Sequence, residues 1–141
     1  MSKNLVSVII TTLDAEKYIG RALNSIVEQN YISIEIIVVD AGSKDSTKEI
    51  CANYNLVKFY NLKDSSMGEA RNYGIKKSKG EYIMFLDADD FYLKNKINFQ
   101  VNKLKENKSL DFLVNTAYLI NNKKDDRIGT KTFTLGKLNL E

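Results

Sequence analysis

Three carboxylates follow one another closely at the end of an apolar segment. Asp87, Asp89 and Asp90 come directly after the segment Ile83 to Leu86, which contains no turn-forming residue. Carboxylates this close repel each other and favour protonation unless a positive charge compensates them. Clustered carboxylate oxygens are also the ligands that Mg²⁺, Mn²⁺ and Ca²⁺ prefer. The spacing therefore fits a divalent-metal site or, equally, a solvated acidic turn that caps the following helix.

The composition narrows the chemistry that this chain can perform. Its 141 residues include no histidine and one cysteine, Cys51. An internal disulfide, a zinc site and a histidine-based catalytic dyad are therefore excluded, and any metal must be held by oxygen. The formal net charge of +3 does not favour nucleic acid as a partner. No apolar run approaches the roughly 20 residues of a membrane span, so no transmembrane segment is expected.

Short apolar, β-branched segments alternate with segments of helical periodicity along the chain. Strands are predicted at residues 5–11, 34–39, 57–60, 81–86 and 111–120. Helices are predicted from Ala15 to Gln29 with Asp14 as the N-cap, from Asp45 or Ser46 to about Tyr54, from about Ser65 to Lys77, and from about Ile97 to Asn107.

This alternation predicts an α/β fold, with a mostly parallel sheet, helices on both faces and a single domain over residues 1–141. The strand that contains Ile83 to Leu86 is expected to be buried on both faces, with Tyr82 and Phe85 in the core. In open α/β sheets, ligands bind outside the C-terminal ends of the strands. Asp40, which ends the second strand, and the acidic cluster are therefore expected at one crevice.

Four blocks of sequence, in this order along the chain, resemble glycosyltransferase family 2. They are residues 6–12, 36–43, 69–75 and 79–90, and the last contains the Asp-x-Asp motif formed by Asp87 and Asp89. A single Asp-x-Asp is weak evidence, whereas four blocks in the right order are strong. The resemblance extends from Leu5 to about Ile120. It implies an inverting, nucleotide-sugar-dependent enzyme with the Rossmann-like, nucleotide-binding GT-A fold.

The resemblance assigns the base of the nucleotide to the first two strand ends. Thr11, Thr12 and Leu13 would line the base pocket, and Asp40 would accept a hydrogen bond from an N–H of uracil. The alternative for Asp40 is a structural one, in which it caps the turn before the second helix. The family usually has an aromatic residue where this chain has Leu13, so a face on which the base could stack is lost.

The same resemblance assigns the ribose and the diphosphate to the third and fourth blocks. Arg71 would lie near the nucleotide, where its planar guanidinium suits base oxygens or phosphate. Asp87 would contact the ribose, and Asp89 would ligate Mn²⁺ or Mg²⁺. Asp90 fits a helix cap or an outer acid better than a metal ligand. Arg71 as a plain surface residue is the alternative.

For the whole protein, the resemblance implies transfer from a nucleotide-diphosphate sugar, with a UDP-sugar favoured, to a saccharide or lipid-linked acceptor. The setting would be the synthesis of a bacterial surface polysaccharide or glycolipid in the cytoplasm, with association at the inner face of the membrane left open. Lysines at positions 76, 77 and 79 leave a peripheral membrane contact open as a minority interpretation. Family members continue well past the Asp-x-Asp motif. We therefore expect a truncated, donor-binding part, with the acceptor-binding half missing after about residue 120.

None of the acids that follow the motif has the sequence context of a general base. They are Glu106, Asp111, Asp125, Asp126 and Glu141. The catalytic base is therefore expected outside this chain. A non-catalytic nucleotide-binding or interaction module on the same fold is the alternative function.

Overall fold

The computed structural model describes residues 2–114, 117–121 and 126–131. The chain divides into two compact units, Met1–Asn98 and Phe99–Glu141. The first unit contains the four-stranded sheet and all the residues predicted to bind a ligand. It is therefore the unit that matters for function.

The first unit is built on a parallel sheet. Its strands are β1 (Ser2–Thr12), β2 (Ile34–Asp40), β3 (Val57–Asn61) and β4 (Gly80–Asp87). Their order in the sheet is β3-β2-β1-β4, and each neighbouring pair is parallel. The predicted α/β class and its four strands are confirmed.

In the described part of the chain, four helices alternate with the strands or follow them. They are α1 (Ile19–Val27), α2 (Thr47–Ala52), α3 (Met67–Lys77) and α4 (Lys96–Glu106). Helix α3 begins with a capping box, in which the Ser66 hydroxyl accepts from the Glu69 amide and the Glu69 carboxylate accepts from the Ser66 amide. No helix of the described residues is both long enough and apolar enough to cross a bilayer.

The start of α1 differs from the prediction. The helix begins at Ile19 rather than Ala15, and Asp14 does not cap it. Asp14 has a positive φ of 49°, a conformation that aspartate tolerates better than most residues. Its carboxylate accepts a hydrogen bond from the Lys44 amide instead, at 2.7 Å. Tertiary contacts have replaced the local cap here.

Both faces of the central strands are buried. On one face, Ile9, Ile37 and Val39 pack with Ala70 of α3 in a single apolar cluster. Successive side chains of a strand point to opposite faces, so the neighbouring residues belong to the other face. Those neighbours are also fully buried: Val8, Ile10, Ile36 and Val38. Burial on both faces explains the nearly continuous apolar runs of β1 and β2.

The expectation that β4 is buried on both faces is wrong for this structure. Among the described strands β4 lies at the edge of the sheet, paired only with β1. Phe85, expected in the core, is 46% exposed, and Tyr82 is half-buried. The apolar run of β4 resembles that of a central strand, but neighbouring strands determine burial, and the sequence of one strand does not reveal them.

The second unit contains a two-stranded antiparallel sheet of β5 (Ala117–Asn121) and β6 (Asp126–Lys131). The strand predicted at 111–120 is wrong for residues 111–114, which have no strand conformation. Residues 115–116 lie outside the described part of the chain. So do Asp125 and Glu141, two of the acids considered as general bases.

A buried carboxylate ties the middle of β1 to the N-terminal ends of β2, β3 and β4. Glu35 accepts hydrogen bonds from the Ser7 hydroxyl, the Lys58 ammonium and the Lys79 amide, each at 2.6 Å. The Ser7 hydroxyl accepts in turn from the Gly80 amide at 2.9 Å. A Cβ at Gly80 would lie 2.5 Å from the Ser7 hydroxyl oxygen and 2.7 Å from its amide nitrogen. Only glycine therefore allows this close approach of β4 to β1.

We expect Glu35→Gln to lower the free energy of unfolding by about 1–2 kcal/mol at pH 7, because charge-assisted hydrogen bonds are lost. The loss is no larger because the Lys58 ammonium is partly solvated and its ion pair is screened by water. Burial acts to raise the pKa of Glu35, but the bonds from Lys58, Ser7 and Lys79 outweigh it and lower that pKa. A lowered pKa means that the stabilisation exists above the unfolded-state pKa and is lost as pH falls through the folded-state pKa.

Urea unfolding of wild type and variant at several pH values checks this. The difference between them should be full at pH 7 and shrink below about pH 4. Glu28→Gln, at an exposed position of α1's C-cap, is the control and should stay within about 0.5 kcal/mol of wild type. A pH-independent difference would show that the charge of Glu35 is not what stabilises the sheet.

Candidate functional site

The register of the sheet brings the predicted site residues to one edge. Thr12 at the end of β1 pairs with Asp40 at the end of β2. Thr11 pairs with Asp87 at the end of β4. Since β1 lies between its two partners, the three strand ends form one continuous C-terminal edge. The prediction that Asp40 and the acidic cluster share an edge is confirmed.

Asp40 is held by its own turn. It is 2% exposed, and its carboxylate accepts from the Gly42 amide at 3.1 Å, from the Ser43 amide at 2.9 Å and from the Ser43 hydroxyl. Gly42 has a φ of 107°, which favours glycine at this point of the turn. The turn-capping alternative is therefore what the structure contains. A carboxylate has about four acceptor positions, so capacity for one further donor remains.

The loops after β1 and β2 are joined by reciprocal hydrogen bonds. The Asp14 amide donates to the Ser43 hydroxyl at 2.8 Å, and the Lys44 amide donates to the Asp14 carboxylate at 2.7 Å. One step further, the Glu16 amide donates to the Asp45 carboxylate at 2.8 Å. The two segments predicted to surround a base are thus fixed relative to each other.

Ser43 is the site residue that the sequence analysis did not single out. Its hydroxyl donates to Asp40 and accepts from the Asp14 amide, so it links both loops. The available signal was an aspartate followed three residues later by a serine across a glycine, which is typical of a side-chain-stabilised turn.

Two hydroxyls near this edge lack partners among the described residues. The Thr12 hydroxyl, in a residue that is 6% exposed, and the Ser65 hydroxyl are buried without a hydrogen bond. Leu13, in contrast, is 58% exposed immediately after Thr12. Unsatisfied buried hydroxyls are uncommon in proteins and call for an explanation such as a bound water or ligand.

Arg71 of α3 reaches the end of β4. Its guanidinium donates to the Asp87 carboxylate at 2.8 Å, with the two side chains 37% and 50% exposed. The guanidinium carbon also lies 5.9 Å from the centre of the Phe85 ring, on the same face of the strand as Asp87. Arg71 is therefore a partly exposed residue that pairs with the carboxylate at the end of β4. An exposed ion pair contributes only about 0–1 kcal/mol, so a ligand could open it at small cost.

The acidic cluster occupies a tight turn. The Asp90 amide donates to the Asp87 carbonyl at 3.0 Å, which closes a β-turn with Asp89 exposed at its third position. Burial, and then repulsion by the Asp89 and Asp87 carboxylates, raises the pKa of Asp90. Negative charge is thus concentrated here, and Arg71 compensates only Asp87 directly.

The donor set fits a divalent cation that is not enclosed by protein. Among the described residues, no three acidic, histidine or cysteine side chains are grouped so that they alone could hold a metal. Mg²⁺ is commonly bound through one or two carboxylates together with substrate phosphates and waters. Asp89 is exposed on the turn and is free of the Arg71 ion pair, which makes it the best-placed ligand for an ion shared with a phosphate-bearing molecule.

Comparison with protein families and curated proteins gives a consistent result. The model of glycosyl transferase family 2 matches residues 7–138. An uncharacterized glycosyltransferase of Rickettsia typhi is 41% identical over 115 residues, which cover 81% of this chain and 36% of that protein. The glycosyltransferase GlyG of Streptococcus pneumoniae is 34% identical over 119 residues, covering 81% and 39%. The chain thus spans little more than a third of these relatives.

Solved structures agree with the fold. TarS 1–349 of S. aureus in complex with UDP has a TM-score of 0.69 at 32% identity, over 72% of this chain and 32% of that one. A complex of the same protein with UDP-GlcNAc matches equally well, with 33% identity. The mannosyltransferase PcManGT of Pyrobaculum calidifontis, in complex with GDP-Man and Mn²⁺, has a TM-score of 0.68 at 20% identity, which supports the fold alone.

We expect Ser43→Ala to loosen the joined loops, because both hydrogen bonds of the hydroxyl are lost and one accepting atom is a buried carboxylate. The free energy of unfolding should fall by about 1–2 kcal/mol. Amide exchange should accelerate at Asp14, whose partner is removed. Ser46→Ala is the matched control, since the Ser46 side chain makes no capping hydrogen bond to α2. Equal exchange rates at Asp14 in wild type and Ser43→Ala would contradict the assignment.

Proposed function

Because this chain belongs to glycosyltransferase family 2, we propose that it binds the nucleotide-diphosphate sugar from which the whole protein transfers a sugar. The observation that carries the proposal is the register of the sheet, which aligns Thr12 with Asp40 and Thr11 with Asp87 at one edge. A ligand lying across this edge would meet, in order, the two joined loops, an arginine and an acidic turn.

The base belongs on the side of the two joined loops. Thr11, Thr12 and Leu13 would border it, and the remaining acceptor capacity of Asp40 would receive an N–H of the base. Uracil, with one ring N–H in reach of such an acceptor, suits this arrangement. UDP and UDP-GlcNAc are the ligands in the complexes of the related S. aureus protein. A UDP-sugar is therefore the donor that we favour.

The ribose and diphosphate belong on the side of β4. Asp87 would accept from a ribose hydroxyl once Arg71 turns from it to the nucleotide, and Arg71 would then place positive charge beside phosphate or base oxygens. Asp89 would hold Mn²⁺ or Mg²⁺ against the diphosphate. Such a cation would neutralise the negative charge that develops on the leaving nucleotide.

The transfer itself would be an inverting displacement. An acceptor hydroxyl would attack the anomeric carbon as the bond to the diphosphate oxygen breaks, its proton passing to a carboxylate and the nucleoside diphosphate leaving. We assign no residue of this chain as that base. The acceptor, a saccharide or a lipid-linked molecule, and the location at the inner face of the membrane remain predictions.

Titration of the chain with UDP, with and without Mn²⁺, tests the proposal. Wild type should bind UDP more tightly with Mn²⁺ than without it. Asp89→Asn should lose this metal-dependent gain, by about tenfold or more in affinity, because a neutral amide is a poor ligand for a hard cation. Binding in the absence of metal should change little, since the base side is untouched.

Asp111→Asn, at an exposed carboxylate that the proposal does not use, is the matched control and should behave as wild type. If UDP does not bind at all, the alternative of an interaction module without nucleotide binding gains support. If UDP binds without any effect of Mn²⁺ or of Asp89→Asn, the metal assignment fails while nucleotide binding stands.

We also expect Leu13→Tyr to tighten UDP binding. An aromatic side chain at this exposed position would give the base a face to stack on, and such stacking contributes about 1–3 kcal/mol. The gain should be of similar size with and without Mn²⁺, as measured by calorimetry. Leu56→Tyr, at a position 48% exposed just before β3, is the control and should leave the affinity unchanged. A loss of affinity in Leu13→Tyr would place the base elsewhere.

A further inference from the structure

A buried tyrosine closes the loop that carries the acidic turn. Tyr92 is 7% exposed, and its hydroxyl donates to the Phe85 carbonyl at 2.8 Å. Phe85 lies in β4 two residues before Asp87, and Tyr92 follows Asp90 by two residues. The hydrogen bond therefore joins the chain entering the acidic turn to the chain leaving it.

Helix α1 holds the same loop from outside the turn. The Tyr92 amide donates to the Ser25 hydroxyl at 3.0 Å. The Gln29 side-chain amide donates to the Leu93 carbonyl at 2.9 Å and accepts from the Ile97 amide at 3.2 Å. Gln29 is 8% exposed, which is unusual for a glutamine unless its hydrogen bonds are made. The segment after the acidic turn is thus anchored at three backbone positions, one by Ser25 of α1 and two by Gln29, which follows the C-cap of that helix.

These anchors oppose a force that acts on the turn. The carboxylates of Asp87, Asp89 and Asp90 lie within four consecutive residues of one tight turn, and like charges this close repel one another. Repulsion of this kind favours a conformation in which the side chains move apart. The hydrogen bond of Tyr92 ties the two ends of the turn together, so it limits how far the backbone that carries these carboxylates can open.

Tyr92 contributes its ring as well as its hydroxyl. The Lys96 ammonium lies 5.1 Å from the centre of the ring, and burial lowers the pKa of that lysine. Burial raises the pKa of Tyr92, and the negative charge of Asp87 raises it further. Tyr92 is therefore a buried residue in direct contact with the strand that leads into the acidic turn.

We propose that Tyr92 is a positioning residue for the diphosphate side of the site: through its bond to the Phe85 carbonyl it keeps the acidic turn in the geometry that a divalent cation and a diphosphate require. The inference rests on the proposed function of that turn. Gln29 and Ser25 of α1 support the same geometry from the other side of the loop. None of the three contacts the ligand in this arrangement.

The test compares Tyr92→Phe with wild type in titrations of UDP, with and without Mn²⁺. Phenylalanine keeps the ring and removes only the hydroxyl. We expect the Mn²⁺-dependent gain in UDP affinity to fall about tenfold, the size typical of losing a residue that orients a metal ligand. UDP affinity without Mn²⁺ should stay within about twofold, because Tyr92 has no bond to the base side.

A second readout needs no metal. The Asp90 amide donates to the Asp87 carbonyl within the turn, so its hydrogen exchange reports whether the turn is closed. Exchange at Asp90 should accelerate in Tyr92→Phe while exchange in β1 and β2 stays at the wild-type rate. A change shared by all strands, or equal losses of UDP affinity with and without Mn²⁺, would mean a merely structural role and would overturn the proposal.

Tyr54→Phe is the matched control. The Tyr54 hydroxyl donates to α1, at the Gly20 carbonyl (3.2 Å) and the Asn24 side chain (2.9 Å). It has no hydrogen bond to the acidic turn. Tyr54→Phe should leave both readouts unchanged.

Ser25→Ala is a milder variant for use if Tyr92→Phe does not fold. It should show the same selective loss of the Mn²⁺-dependent gain, at smaller size. If wild type shows no Mn²⁺-dependent gain, the proposed function fails; if wild type shows it and the variants retain it, only this inference fails.

Discussion

Parallel pairing of β1 with β2 on one side and β4 on the other is the constraint on which the site depends. The side-chain period of a strand is two, so a slip of one residue would turn Thr12 and Asp40 to opposite faces. The pairing is pinned at the other end of the sheet, where Ser7 is the register partner of Glu35 and the two side chains bond directly. A buried polar contact at one edge thereby determines which residues meet at the opposite edge.

The Glu35 carboxylate and the carboxylates of the acidic turn differ in how their charge is compensated. Glu35 receives three hydrogen bonds, including one from an ammonium, and its pKa is lowered although burial opposes this. Asp90 has two neighbouring carboxylates, and its pKa is raised. Structural carboxylates are satisfied by their surroundings, whereas groups that the fold leaves electrostatically unsatisfied are candidates for binding. This contrast makes the acidic turn a better candidate for binding than the Glu35 network.

The sequence predicted the elements well because their signals are local. The strand ends follow from the ends of the apolar runs. The start of helix α3 follows from Ser66 and Glu69, which form its capping box. Features that depend on distant residues were missed. Asp14 has the type and position of an N-cap but bonds to Lys44, thirty residues away. Phe85 has an apolar sequence context but lies on an edge strand. Tyr92 and Gln29 carried no motif, and only their contacts in space reveal them.

The two sides of the site differ in how much they would have to change on binding. Asp40 is buried and accepts three hydrogen bonds from its own turn, and an unsatisfied buried group costs about 1–3 kcal/mol. Rearranging the base side is therefore expensive, and the loops around it are already joined. The Arg71–Asp87 pair is exposed, and opening it costs about 0–1 kcal/mol.

Under the proposed function, a nucleotide would meet joined loops on the base side and would exchange partners mainly at Arg71 and Asp87. Such an exchange works only if the carboxylates do not separate when the guanidinium leaves, because the turn then loses its one direct compensating charge. The loop closure at Tyr92 meets this requirement by holding the turn through backbone contacts that do not depend on Arg71. Under the proposed function, joined loops on the base side, an exchangeable ion pair and a turn tied at both ends would therefore act together when a nucleotide binds.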